Sequence, residues 1–182
     1  MRRVRRLSLF ILCFTAFLLL SINAKANAAF REELGNGLTV IVQEEHSAPV
    51  AAIQLWVKVG SADETEKEAG ISHVFEHMLF KGTKKRKLGE IAGTIEALGG
   101  DINAYTSYDN TVYHLTIPGR HLLTGLDIIS DAVQNSAFDP EELEKELQVV
   151  LEEISMNEDK PERNLYKALF SNAYANHPYK RP

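Results

Sequence analysis

Residues 101–118, DINAYTSYDNTVYHLTIP, set the tightest limit on the fold. Thr111, Tyr113, Leu115 and Ile117 alternate with Val112, His114 and Thr116, the period of a strand whose successive side chains face opposite ways. Ser107 to Asn110 carry turn chemistry, so the stretch predicts two strands folded back on each other. Upstream, LGNGLTVIVQEE (34–45) and APVAAIQLWVKVG (48–60) are rich in β-branched residues and meet at a short polar turn, His46-Ser47. That turn length allows a second antiparallel pair. The order along the chain is then β-β-α-α-β-β-α-α-α. Strands in pairs and helices in runs predict an α+β fold, an antiparallel sheet packed against helices, and argue against a doubly wound parallel sheet.

The helical segments have their own signals. Ile71, Val74, Phe75, Met78 and Leu79 fall at offsets 0, 3, 4, 7 and 8 and predict a helix over 70–80 with one apolar stripe locked against a core. The acidic residues of SADETEKEAG (61–70) favour the start of that helix. KGTKKRK (81–87) reads as an exposed, solvated basic loop. LGEIAGTIEALGG (88–100) is helical and stops at Gly-Gly, and HLLTGLDIISDAVQNSAF (121–138) is helical again. Asp139-Pro140 reads as a cap and a first-turn proline opening a long helix, and PERNLYKALFSNAY (161–174) follows it. The chain reaches Pro182 without a terminal element, and reads as the front part of a longer protein.

The first 28 residues stand apart. MRRVRR is a basic start, LSLFILCFTAFLLLSI an apolar core, and NAKANA a small-residue end, the layout of a secretory signal peptide. Ala26-Asn27-Ala28 places cleavage before Ala29, and Ala24-Lys25-Ala26 places it before Asn27. The alternative is an uncleaved membrane anchor, but the apolar run is shorter than the span of about 20 that a membrane helix needs. The expected mature domain is 29–182, exported to a periplasm or the medium, with no stable membrane span. Removal of 1–28 takes away Cys13, the single cysteine, so thiolate ligation is excluded. It also moves the formal charge from -5 to -10, because five basic and no acidic residues leave. Such an acidic body is a poor match for nucleic-acid phosphates.

The chemistry concentrates in GISHVFEHMLF (70–80). His73 and His77 are four residues apart, one above the other on a helix face, and can aim both imidazoles at one point. Neutral imidazoles suit a borderline metal such as zinc. Glu76 borders the same face, where a carboxylate can take a proton from water held by the metal. A third ligand must then be His, Asp or Glu, and the helix after Pro140 offers Glu144, Glu146, Glu152 and Glu153. Glu146 and Glu153 are seven apart, two turns along one face. One carboxylate of such a pair can bind metal while the other accepts a hydrogen bond from an imidazole N–H. Residue chemistry alone leaves Glu152 and Glu153 both open.

HVFEHMLFKGT (73–83) resembles the inverted zinc motif His-x-x-Glu-His of the pitrilysin or insulinase family of metallopeptidases. The family's Glu-x6-Glu pattern, about 76 residues beyond the second histidine, is matched by Glu146 and Glu153. GGDINAYTSYDNTVY (99–113) resembles the family's edge-strand region, and HPYKRP (177–182) its His-Pro-Tyr-Gly-x-Pro stretch, with Lys180 at the usual glycine. The resemblance implies one Zn2+ held by His73, His77 and Glu153, with Glu146 bonded to an imidazole and Glu76 as general base. It implies a peptide substrate lying along Asn103, Ala104, Tyr105 and Thr106, and endopeptidase action on peptides or small unfolded proteins. It also implies a second homologous domain or a partner subunit that closes the cleft. A nucleic-acid module built on KGTKKRK is the competing reading, disfavoured by the acidic charge and the lack of aromatic platforms beside it. A non-catalytic assembly partner is disfavoured by the presence of every carboxylate and imidazole of the motif.

Export has a direct check. Mass spectrometry of the protein from its native host is expected to find a mature N-terminus at or near Ala29. An intact Met1–Ala28 segment would refute the signal-peptide reading.

Overall fold

Glycine and asparagine decide the first turn of the chain. In the structure, a computed structural model describing residues 28–181, β1 (Phe30–Glu33) and β2 (Thr39–Val42) close an antiparallel hairpin across Gly35-Asn36-Gly37. Gly37 takes a positive φ of 84°, its N–H donates to the Leu34 carbonyl at 2.8 Å, and Asn36 Oδ1 accepts from the Leu38 N–H at 3.1 Å. The hairpin belongs to a unit ending at Ala48. All but Ala28 of the segment expected to be a signal peptide lies outside the described residues.

The second unit, from Pro49, carries everything that follows. Its sheet has three antiparallel strands in the order β3-β5-β4, with β3 Val50–Val57, β4 Asp101–Thr106 and β5 Thr111–Pro118. β4 and β5 form the expected hairpin, with Thr106 opposite Thr111. The partner expected for β3 was its predecessor in the chain. Instead β3 pairs with β5, Val50 opposite Pro118 through Val57 opposite Thr111. A turn at Gly35-Asn36-Gly37, unforeseen in the sequence, makes β2 the second strand of a hairpin with β1. Three strands therefore occupy 30–57 where two were expected.

Among the described residues five α-helices complete the unit: α1 (Ile71–Met78), α2 (Glu90–Ala97), α3 (Leu122–Asn135), α4 (Pro140–Glu158) and α5 (Pro161–Ala173). The α+β class read from the chain is the one observed. Tyr113, Leu115 and Ile117 of β5 face Ile91 and Ile95 of α2 and Ile128, Ile129 and Ala132 of α3, and all of them are buried. Each large aliphatic side chain buried in this way contributes about 1.5–3 kcal/mol. Gly125 lets α3 come close: a Cβ there would meet Leu115 Cδ1 at 3.1 Å and Ile53 Cδ1 at 3.2 Å. Among the described residues no helix is long and apolar enough to cross a membrane.

Two local expectations change. The apolar stripe of α1 is split. Met78 and the following Leu79 are buried, but Ile71 and Phe75 are about half exposed, at 45% and 48%. Only the C-terminal end of this short helix enters the core, and Phe75 rests against Phe138 with ring centroids 5.0 Å apart. The loop 81–87 is also less solvated than its charge predicts. Thr83 is buried, and its hydroxyl donates to Asp131 Oδ2 of α3 at 2.7 Å. Arg86 forks onto Asp131 and Asp127, and Asn135 donates to Asp131 Oδ1 at 2.9 Å. Only Lys84, Lys85 and Lys87 of this loop are exposed.

The Asp131 carboxyl is held below the usual carboxylate range, first by the Thr83 hydroxyl, against the opposing effect of burial, and then by Arg86 and Asn135. A depressed pKa means that the charged form stabilises the fold above the unfolded value near 3.9, and that this is lost as pH falls through the folded value. Asp131→Asn is expected to lower the urea midpoint at pH 7. The difference from the parent should shrink steadily below about pH 4. A gap independent of pH would show that the Asp131 charge does not hold the loop.

Candidate metal centre

Two helices from distant parts of the chain face each other here. On α1, His73 and His77 occupy one face; on α4, Glu146, Val150 and Glu153 sit at offsets 0, 4 and 7 on the face turned toward them. Each helix has a defined start. Asp139 Oδ1 accepts from the N–H groups of Glu141 and Glu142 at 2.9 and 3.2 Å, and Pro140 occupies the first turn, as the sequence predicts. The start of α1 is less ordinary. Gly70 takes φ 92°, a conformation that disfavours any side chain, and brings no capping group. The buried Glu64 caps from a distance instead, accepting from Gly70 N–H at 2.7 Å and Ser72 N–H at 2.8 Å. This is the acidic contribution expected of segment 61–70, made by one particular carboxylate.

The two imidazoles are nearly perpendicular, at 84°, and their Nε2 atoms approach to 3.2 Å. Glu153 Oε2 stands 3.4 Å from His73 Nε2 and 3.7 Å from His77 Nε2. Ligand bonds of 2.0–2.2 Å in a tetrahedron place neighbouring ligand atoms about 3.3 Å apart. The observed triangle is close to that size, and its two nitrogens and one oxygen are a donor set that zinc accepts. His73, His77 and Glu153 therefore fit a zinc ion. The choice left open on α4 is met by Glu153; Glu152 is exposed.

Glu146 is buried and divides its carboxylate between two donors. His77 Nδ1 lies 3.1 Å from Oε2, and Lys81 Nζ lies 2.6 Å from Oε1. Burial pushes this carboxyl up, but the hydrogen bonds and charges of Lys81 and His77 outweigh it and hold the group below its ordinary value. As a carboxylate it can only accept, so Nδ1 of His77 carries a proton, and in the neutral ring Nε2 then keeps its lone pair for a metal.

Glu76 reaches the opposite wall. The Thr106 hydroxyl, at the end of β4, donates to Glu76 Oε2 at 2.5 Å. Beneath it, Phe80 and Tyr113 meet edge to face, 5.8 Å between centroids. Burial, with the Glu76 charge adding to it, pushes the Tyr113 phenol up to about 12. The resulting cleft of about 430 Å³ is lined by both histidines, Glu76, Glu153, Glu146 and Lys81, with Asn103 and Ala104 of β4 on one side. Of the strand residues singled out in the sequence, Asn103 and Ala104 thus line the cleft, Thr106 bonds Glu76, and Tyr105 is exposed.

Three contacts were not foreseen in the sequence: the cap that Glu64 in particular makes, the Lys81–Glu146 pair and the bond from the Thr106 hydroxyl to Glu76. Lys81 alone left a usable signal, four residues after His77 and eight after His73. The His-Pro-Tyr stretch near the end is tied in through Tyr179, whose hydroxyl donates to Asp109 at 2.6–2.7 Å in the β4–β5 turn. Arg181 donates to the carbonyl of Glu64, the residue that caps α1.

Comparison with known proteins agrees with this geometry. The model of the family described as Insulinase (Peptidase family M16) matches residues 39–182. An uncharacterized zinc protease of Rickettsia felis is 40% identical over 150 residues, which cover 82% of this chain and 36% of that protein. One from Bacillus subtilis is 39% identical over 142 residues, 78% of this chain and 35% of the relative. The crystal structure of a protease from Helicobacter pylori superposes with a TM-score of 0.80 at 33% identity, over 86% of this chain and 38% of the other. The chain thus spans little more than a third of the relatives it matches. With the motif, the Glu146–Glu153 pair and the fold in agreement, this chain belongs to the insulinase family of peptidases, peptidase family M16.

Proposed function

We propose that the chain carries the metal-binding and proton-transfer centre of an exported zinc-dependent endopeptidase acting on peptides or small unfolded proteins. The observation that carries this reading is the triangle of His73 Nε2, His77 Nε2 and Glu153 Oε2, with edges of 3.2, 3.4 and 3.7 Å, in a cleft that Glu76 also lines. When bound, zinc supplies a Lewis acid for the scissile carbonyl and lowers the pKa of a water molecule. The chain's own residues do the rest. Thr106 engages one Glu76 oxygen, and the other is left to accept a proton from water and return it to the leaving amine. Glu146 keeps His77 in the tautomer whose Nε2 can ligate.

Substrate binding follows from the sheet. β4 lies at the end of the order β3-β5-β4, so one of its sides offers backbone N–H and C=O groups to an extended peptide. Asn103 and Ala104 bring that edge to the cleft. Edge pairing recognises backbone and is tolerant of side chains, which suits unfolded polypeptides. A second homologous domain or a partner subunit is proposed to cover the cleft, since it is open in this unit and the relatives are more than twice as long.

Glu153→Gln is expected to abolish most zinc binding in the full-length protein, measured as metal content after dialysis, and Glu152→Gln to leave it at about one ion per chain. Loss of zinc in Glu152→Gln alone would move the ligand by one residue. Glu76→Gln is expected to keep zinc and fold while peptide hydrolysis falls at least about a hundredfold, the lower end of what a positioned base contributes. Equal zinc with unchanged turnover would require another base.

A further inference from the structure

We propose that Lys81 is a positioning residue of the metal centre: its ammonium holds the Glu146 carboxylate in the orientation that fixes His77. The inference rests on the zinc reading of His73, His77 and Glu153. Its basis is a three-membered relay. Lys81 Nζ is 2.6 Å from Glu146 Oε1, and Glu146 Oε2 is 3.1 Å from His77 Nδ1. Each carboxylate oxygen thus has a single dedicated donor. A carboxylate gripped at one oxygen can still swing about its terminal torsion. Gripped at both, it presents a fixed lone pair to the imidazole, and the ring is fixed with it.

The backbone explains how a lysine reaches this place. α1 ends at Met78, but Lys81 N–H donates to the Met78 carbonyl at 3.1 Å, so the chain keeps turning for a few residues. That brings residue 81 back to the side of His73 and His77. The Glu146 side chain is only 8% exposed and that of Lys81 31%. The lysine stem therefore lines the cleft while its head is committed to an internal anion. A cation serving mainly to bind substrate would be expected to have its charge unpaired in the cleft, and this one is not. Basic residues in a loop are ordinarily solvated, which is true of Lys84, Lys85 and Lys87 here. Lys81 differs from them in position and in partner.

The test is a zinc affinity measured by chelator competition on the metal-free full-length protein, with circular dichroism to establish that each variant is folded. Lys81→Met is expected to weaken zinc about tenfold, the lower end of the range for groups that orient metal ligands. Lys81→Arg keeps the charge and is expected to restore most of the affinity. In a Glu146→Gln background, Lys81→Met should have no further effect beyond about twofold, because the lysine acts through that carboxylate. If Lys81→Met fails to fold, Lys81→Gln provides the same comparison. Unchanged zinc affinity in the lysine variant overturns the proposal, and so does a loss that adds in full to that of Glu146→Gln. A raised KM with normal zinc affinity would likewise overturn it and make Lys81 a substrate contact. Failure of the parent protein to bind zinc at all would instead remove the metal reading itself, a result distinct from any of these.

Discussion

The carboxylate of Glu146 joins the two helices on which the site depends. α1 holds the two imidazoles and α4 holds Glu153, the third corner of the triangle, more than seventy residues later in the chain. A metal triangle requires these helices to meet in one rotational setting, because a turn of either by a single residue, about 100°, carries a ligand away. Glu146 fixes that setting by bonding His77 and Lys81 at once. Its neighbour on the same face, Val150, is 6% exposed, so apolar packing supports the polar contact. The ionic part is not evidence of stability in itself, since burying a carboxylate costs what its partners return. What it supplies is specificity of docking.

Around that contact the rest of the fold acts as a support. The core beneath the sheet holds β5 rigid, β5 holds β4 in register, and Thr106 at the end of β4 reaches Glu76. On the other side Glu64 holds the first turn of α1, and Arg181 from the last described residues bonds the Glu64 carbonyl. Groups that must act within fractions of an ångström are usually kept by such supporting contacts and not by their own flexibility. Here the supports come from five separate stretches of chain: 64, 81, 106, 146 and 181. A substitution at any of them reaches the site without touching a ligand.

The sequence shows faces more clearly than it shows which faces meet. His73 and His77 share a side of α1 by spacing alone, and Asp139-Pro140 marks the start of α4, so both were legible. The hairpin of β4 and β5 was legible because its turn lies between two alternating runs. The pairing of β3 with β5 was not, since more than fifty residues separate the partners and nothing local distinguishes that pairing from a pairing with the preceding strand. Glu152 and Glu153 differ only by the rotation of α4, which tertiary docking decides. The loop 81–87 misled for a related reason: Arg86 and Thr83 are polar residues, and the aspartates that bury them lie on α3, over forty residues on. The resemblance to a known family resolved the choice on α4; periodicity could not.

Lining the cleft are three carboxylates, Glu76, Glu146 and Glu153, and one ammonium, Lys81, with two imidazoles that ligate in the neutral form. The formal sum is two negative charges gathered in one cleft whose walls are protein. Like charges gathered at such a site repel one another more strongly than in bulk solvent, where the dielectric constant is high. Lys81 relieves only Glu146, the carboxylate farthest from the triangle in role. Glu153 is left facing both imidazoles and Glu76 lines the same cleft, and the charge of a divalent cation at the triangle would balance theirs. The same arrangement separates the two acids by function. Glu153 lies against both Nε2 atoms, whereas Glu76 bonds the Thr106 hydroxyl and is not part of that triangle. On the zinc reading proposed above, the Thr106 hydroxyl on β4 holds the second carboxylate outside the triangle, where it is available for proton transfer.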